Sequence, residues 1–336
     1  MRYAKARIGL ATVCCVGAVV LWWSLVIGPQ QSASMRRVGV LMPLAQSDPE
    51  AQRRIAVFKE ALQAHGWSEG RTLHFDVRYA GAKPEQLPAA AAEFVRTNVD
   101  VIVTQAAQPI EAARKATTRI PIVMASVGDA VGGGYVASLS RPGGNITGQT
   151  LVATEQSAKR LAMIREVLPS VIRVAVLWNP NATGHRRQLQ PLEAHAAQLG
   201  IEIQSLPMRG AEELEAIFEA TVQQRAQAML IMEDPMIQAN RARIVELATR
   251  QRLPVMAEFR PSVAAGALMS YGANQVEMWR GAAGYVDRIL KGADPAILPI
   301  ARPIKYELVI NLRTSKLLDL AIPPALQVAA DEIIER

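Results

Sequence analysis

The sequence predicts an α/β protein of two doubly wound parallel-sheet lobes joined by a hinge. Three observations predict it. Short apolar runs of strand-forming residues alternate with segments of helical periodicity, the pattern of βαβ units whose right-handed crossovers build layered parallel sheets. The alternation runs twice, roughly over residues 37–125 and 173–259. Between the rounds lies Arg141-Pro142-Gly143-Gly144-Asn145-Ile146-Thr147-Gly148, rich in turn formers and suited to a hinge. A chain of 336 residues, half of them hydrophobic and 20% charged, has room for two cores and is not disordered.

The elements follow in order. Arg37 to Met42 is an apolar run stopped by Pro43, a buried strand. Ile55, Phe58 and Leu62 share one helical face, ended by Gly66. Leu73 to Tyr79 alternates as a strand, and Leu87, Ala91 and Phe94 mark a helix. Strands Asp100 to Thr104 and Ile120 to Ala125 flank a short helix from about Pro109 to Thr117. The second round opens with a helix from Thr154 to Leu168 and the strand Arg173 to Trp178. A helix through Leu189, Leu192, Ala196 and Leu199, the strand Ile201 to Leu206 and a helix through Leu214, Ile217, Phe218 and Thr221 follow. Strand Ala228 to Met232, helix Ile237 to Arg250 and strands Pro254 to Phe259 and Leu268 to Tyr271 complete it. A long helix, Gln275 to Lys291, then a proline-rich stretch and the strand Leu308 to Leu312 are too few for a third domain. The expected division is therefore 1–34 as an N-terminal segment, 35–147 and 148–272 as lobes, and 273–336 shared between them, part of it crossing back to the first.

The N-terminal segment has Arg2, Lys5 and Arg7 before an apolar run from Ile8 to Ile27 and a polar, small-residue exit. That is the build of a secretory signal peptide, yet the run is long enough to span a bilayer as an uncleaved anchor. Both readings place the rest of the chain outside the cytoplasm. The two cysteines, Cys14 and Cys15, lie in this segment and read as apolar filler. Without it the net charge falls from +7 to +4, which weakens any argument for a nucleic-acid partner.

In open parallel sheets, ligands bind beyond the carboxyl ends of the strands, where helix N-termini offer free N–H groups. The residues collected there are Thr104, Gln105, Ser126 and Asp129 in the first round, and Trp178, Asn179, Asp234, Phe259 and Tyr271 in the second. They combine hydroxyls, amides, acids and aromatics, a set suited to a small amphipathic molecule. Asn179 and Asp234, each before a proline, also fit helix capping, and Trp178 and Tyr271 also fit packing between lobes. The nucleophile elbow, the zinc-binding HExxH and the phosphate-binding P-loop are all missing, so no catalytic residue, metal or cofactor is expected.

Several segments together carry a resemblance. They are Val99-Asp100-Val101-Ile102-Val103-Thr104, Ile120-Pro121-Ile122-Val123 and Ser138-Leu139-Ser140-Arg141-Pro142-Gly143-Gly144-Asn145-Ile146-Thr147-Gly148. Val174-Ala175-Val176-Leu177-Trp178-Asn179-Pro180, Arg243-Ile244-Val245-Glu246-Leu247-Ala248, Leu268-Met269-Ser270-Tyr271-Gly272 and Tyr306-Glu307-Leu308-Val309-Ile310-Asn311-Leu312 continue it. In order along the chain from about residue 35, they resemble the ABC-transporter substrate-binding proteins of the tryptophan/tyrosine type. The resemblance implies a type I periplasmic binding fold whose lobes, joined by three crossings, close on a ligand. It implies a periplasmic location, and an inner-membrane permease with a separate ATPase as partners. It implies an amino acid or related ligand, with aromatic amino acids first. Thr104 and Ser126 would hold the carboxylate, Asp234 the ammonium, and Trp178, Phe259 and Tyr271 would enclose the side chain. Two departures fall on the ligand face: Asp129 is followed by Ala130 where the family has proline, and Gln105 and Gln108 stand where small residues are usual. A membrane-anchored sensor domain binding a similar ligand is the alternative reading; a two-lobed enzyme lacks its nucleotide site and catalytic acid or base, and a repressor does not fit a secretory start.

Overall fold

The computed structural model describes residues 35–335. The expected signal peptide or anchor, 1–34, lies outside the described residues.

The first sheet holds β1 (Arg36–Met42), β2 (Leu73–Tyr79), β3 (Val101–Gln105), β4 (Ile122–Ser126) and β5 (Ile146–Gly148). All pairings are parallel, in the order β2-β1-β3-β4-β5. Helix α1 (Pro49–Ala64) covers one face, and α2 (Leu87–Arg96) and α3 (Ala107–Ala116) the other. Because both faces are covered, β3 and β4 are buried along their whole length. The Asp48 carboxylate accepts the Glu50 N–H at 2.8 Å and Pro49 sets the first turn, which fixes where α1 begins.

The second lobe contains β6 (Arg173–Trp178), β7 (Glu202–Pro207), β8 (Ala228–Ile231), β9 (Val255–Ala257) and β10 (Met269–Ala273). Its helices are α4 (Ala153–Val167), α5 (Thr183–Gln198), α6 (Leu214–Gln223), α7 (Pro235–Ala239), α8 (Arg241–Arg250) and α9 (Arg260–Ala264). Leu161 and Ile164 of α4 and Leu192 of α5 pack on Val174, Val176 and Leu230. Phe218 of α6 and Ile244 of α8 pack on Ala175, Leu177 and Met229 from the opposite face. Alternate side chains of each strand thus serve different helix layers.

The chain then returns. Helix α10 (Gln275–Leu290) joins the first lobe's core through Trp279, Ala282 and Val286. Phe58 of α1 meets Trp279 edge-on, with centroids 5.7 Å apart. Strand β11 (Tyr306–Asn311), α11 (Leu312–Leu318), α12 (Pro324–Ala329) and β12 (Glu332–Ile334) go back to the second lobe, whose sheet reads β12-β11-β10-β9-β8-β6-β7. The chain therefore passes between lobes at 149–152, at Asn274 and at 302–305. The first and third passages lie side by side: Thr150 N–H donates to the Ala301 carbonyl, and Ala301 N–H to that of Gly148, both at 2.9 Å.

Two expectations are corrected. The second sheet is not wholly parallel, since β11 runs antiparallel to β10, with Ala273 opposite Tyr306. The chain re-enters that sheet from the hinge side, the end at which β10 left it, so no crossover helix turns it round. The turn-rich stretch expected as the hinge ends in strand: Ile146–Gly148 is the edge of the first sheet, paired to β4. The passage itself is Gln149 to Val152. No helix among the described residues is long and apolar enough to cross a membrane.

Candidate functional site

A cavity of about 750 Å³, part of it open to solvent, lies between the lobes at the carboxyl ends of their strands. Its first-lobe wall comprises the β3–α3 junction at Gln105 to Gln108, the β4 end from Ser126 to Asp129, and Gln275 at the start of α10. Its second-lobe wall carries Glu233, Asp234, Gln238 and Glu258 with His185, Gln188 and the exposed Arg187 of α5. Tyr135, Leu151 and Phe259 supply apolar surface.

Each wall has a distinct polarity. At the β3–α3 junction Ala106 takes φ 66°, unfavourable for any residue but glycine, and the β3–β4 register shifts at Gln105. This turn aims the N-terminus of α3 at the cavity, where the first helical N–H groups have no intrahelical partner. The opposite wall is acidic and buried. Burial pushes the Glu233 carboxyl up to about 7, abetted by Glu258 and opposed by hydrogen bonds from Ser262 and the Phe259 N–H. Those bonds, 2.8 and 3.3 Å, both end on Glu233 Oε1. Glu258 faces buried Arg160 at 3.3 Å, and Arg160 also donates to the Tyr271 carbonyl at 2.8 Å. Asp234 caps α7 by accepting the Ile237 N–H at 2.9 Å, and its other oxygen accepts from Asn179 Nδ2. Burial pushes the His185 pKa down, so the ring is neutral. Its Nδ1 accepts the Asn179 N–H at 3.1 Å, which leaves the ring proton on Nε2.

Of the residues expected at a ligand, the structure brings Gln105, Ser126, Asp129, Asp234 and Phe259 to the cavity wall. Four others stand away from it. Thr104 is fully buried and donates its hydroxyl to the Leu41 carbonyl at 2.7 Å, locking β3 to β1. Trp178 points into the second lobe's core, its Nε1 donating to Ser205 Oγ at 2.8 Å. Tyr271 stacks on Tyr306 with centroids 5.8 Å apart and receives a 2.7 Å hydrogen bond from Lys159. Asn179 stands behind Asp234. Thr104 and Tyr271 lie inside their strands and Trp178 ends one, all three turned into sheet or core, whereas Gln105 and Ser126, the last residues of β3 and β4, reach the opening where the β3–β4 register shifts. Reasoning from sequence passed over Gln188 and Gln238, which lie on helices away from strand ends, and Gln275, which follows β10 by two residues but lay beyond the strand end expected at Tyr271; Glu233 and Glu258 did sit at strand ends. The Asp129 turn closes on itself through Gly132 N–H at 2.8 Å, and Ala130 N–H donates to Thr150 Oγ1 at 3.1 Å, a bond that proline there would forfeit.

Contacts also bridge the lobes. Asp48 and Arg241 pair at 2.9 Å, and fully buried Arg54 donates to Gln238 Oε1 at 3.2 Å. Burial raises the Asp48 carboxyl, but Arg241 and the Glu50 N–H outweigh it and hold it below its usual value.

A family model described as ABC transporter substrate binding protein matches residues 37–334. A tyrosine-binding protein of Clostridioides difficile is 25% identical over 263 residues, 78% of this chain and 75% of that protein. A conserved domain protein of Vibrio cholerae superposes with a TM-score of 0.83 at 26% identity, covering 89% of this chain and 99% of that one. An ABC domain of Streptococcus pneumoniae solved in complex with L-Trp gives 0.82 at 20% identity, covering 90% and 100%.

Proposed function

The chain belongs to the ABC transporter substrate binding protein family, and from that premise we propose that it captures a free amino acid with an aromatic side chain between its lobes for uptake. Members of this family bind solutes rather than transform them, and outside the cytoplasm. The observation that carries the proposal is the opposed polarity of the cavity walls. Three buried acids, Glu233, Asp234 and Glu258, stand on one side beside the exposed Arg187, and a helix N-terminus stands on the other, where half-buried Asp129 accepts the Gly132 N–H. A zwitterion satisfies both at once: its ammonium goes to the acidic wall and its carboxylate to the N–H donors. Phe259, Tyr135 and Leu151 give the side chain apolar surface. The tyrosine- and L-Trp-binding relatives support the aromatic choice.

In this reading each lobe binds one end of the ligand, so the ligand stabilises the closed form over the open one. The closed receptor then docks on an inner-membrane permease served by a separate ATPase, and no bond of the ligand is broken. Native mass spectrometry and calorimetric titration with a panel of amino acids test it. The expected result is one tightly bound molecule, L-tyrosine or L-tryptophan ahead of leucine and valine. A protein that binds none of the panel overturns the proposal.

A further inference from the structure

The expected carboxylate holders do not have the protons for that task. The Thr104 hydroxyl is donated to Leu41. Ser126 donates its hydroxyl to Gln275 Oε1 at 3.0 Å. That bond fixes the Gln275 amide, since with its oxygen engaged the amide turns its nitrogen the other way. Gln275 is 6% exposed and lines the cavity, and its Nε2 is buried without a hydrogen-bond partner. A buried N–H group left unpaired is costly, so this one calls for an acceptor.

Resting on the amino-acid reading above, we propose that Gln275 is a specificity-determining residue whose Nε2, oriented by Ser126, donates to the ligand carboxylate. Three further observations agree. Gln275 is the first residue of α10, so an anion beside it also meets the positive end of a 16-residue helix. Asn274 caps that helix through the Val276 and Glu277 N–H groups at 2.9 and 3.2 Å, which holds Gln275 in place. The buried acids Glu233, Asp234 and Glu258 lie on the second-lobe wall, whereas the first-lobe wall near Gln275 carries one half-buried acid, Asp129, engaged by the Gly132 N–H. Ser126 is then a positioning residue, acting through Gln275.

The test compares amino acids with the amines that lack their carboxylate. The purified protein and its Gln275→Met, Gln275→Glu and Ser126→Ala variants are titrated with L-tyrosine, L-tryptophan, tyramine and tryptamine. Methionine keeps length and bulk but has no donor, so Gln275→Met is expected to weaken amino-acid binding about 10- to 100-fold. The amines should change by less than about 3-fold. Gln275→Glu should weaken the amino acids further and favour the amines. Ser126→Ala, whose fold is the least disturbed, should weaken the amino acids alone, by a smaller factor. Equal losses for both probe classes, or none, overturn the assignment and make Gln275 structural. A wild-type protein that binds neither amino acid overturns the underlying reading, and this assignment with it.

Discussion

At the residue scale, two buried titratable groups work against each other. Burial pushes the Glu233 carboxyl up to about 7, so between about 4.5 and 7 the folded protein binds a proton that the unfolded chain releases. Stability from this group is greatest below about 4.5 and declines as pH rises toward about 7. His185 acts the other way: its pKa is depressed, so stability falls as pH drops below its ordinary value of 6.5. The two opposing slopes overlap in the wild-type profile, and a single variant separates them. Glu233→Gln is expected to raise the melting temperature at about pH 8 and to change it little at about pH 5. Thermal scans of both proteins across that range check it. An increase at pH 5 as large as at pH 8 would remove Glu233 ionisation as the cause.

At the element scale, the wall that carries Glu258 and Phe259 is held by a close backbone approach. A Cβ on Gly272 of β10 would stand 2.0 Å from the Glu258 carbonyl oxygen, a backbone atom that cannot swing aside. Gly272→Ala should lower the melting temperature by roughly 5 °C and also weaken amino-acid binding, because β9 and the residues after it must move. Gly284 of α10 is the contrast: a Cβ there meets nothing within 4 Å. Gly284→Ala should be neutral or stabilising by about 0.5–1 kcal/mol. Equal behaviour of the two variants in thermal scans would contradict this account. The elements themselves were legible wherever pattern was strong. Leu73–Tyr79 and Arg173–Trp178 are strands of those bounds. Short strands β5 and β12 were not, since three residues carry no period, and their existence depends on a neighbouring edge to pair with.

At the scale of the whole molecule, the proposed capture of a ligand would rest on the balance between separated and closed lobes. The pair Asp48–Arg241 and the contact from Arg54 to Gln238 exist only while the lobes meet, and both link α1 to the segment spanning α7 and α8. Removing the Arg241 side chain, which does not line the cavity, would shift the population away from the closed form. Arg241→Met should therefore weaken amino-acid binding by about 3- to 10-fold and enlarge the radius of gyration of the liganded protein at sub-saturating ligand. Titration and small-angle scattering measure these effects. Unchanged affinity would show that the pair contributes nothing to closure.

The sequence by itself determined the alternation of strands and helices, the two lobes, and the zones after the strands in which a ligand would sit. Those follow from hydrophobic period and turn chemistry, which are local. Tertiary structure alone decided which side chains face the opening. Thr104 and Gln105 are neighbours at the end of β3, and Trp178 ends β6 as Ser126 ends β4, yet Thr104 and Trp178 are buried in sheet and core while Gln105 and Ser126 line the cavity. It also decided that α10 covers the first sheet while β11 joins the second, and that Gln275, distant in the chain from Ser126, shares a hydrogen bond with it. Such pairings depend on how the passages between lobes fold the chain back on itself, and no local pattern encodes them.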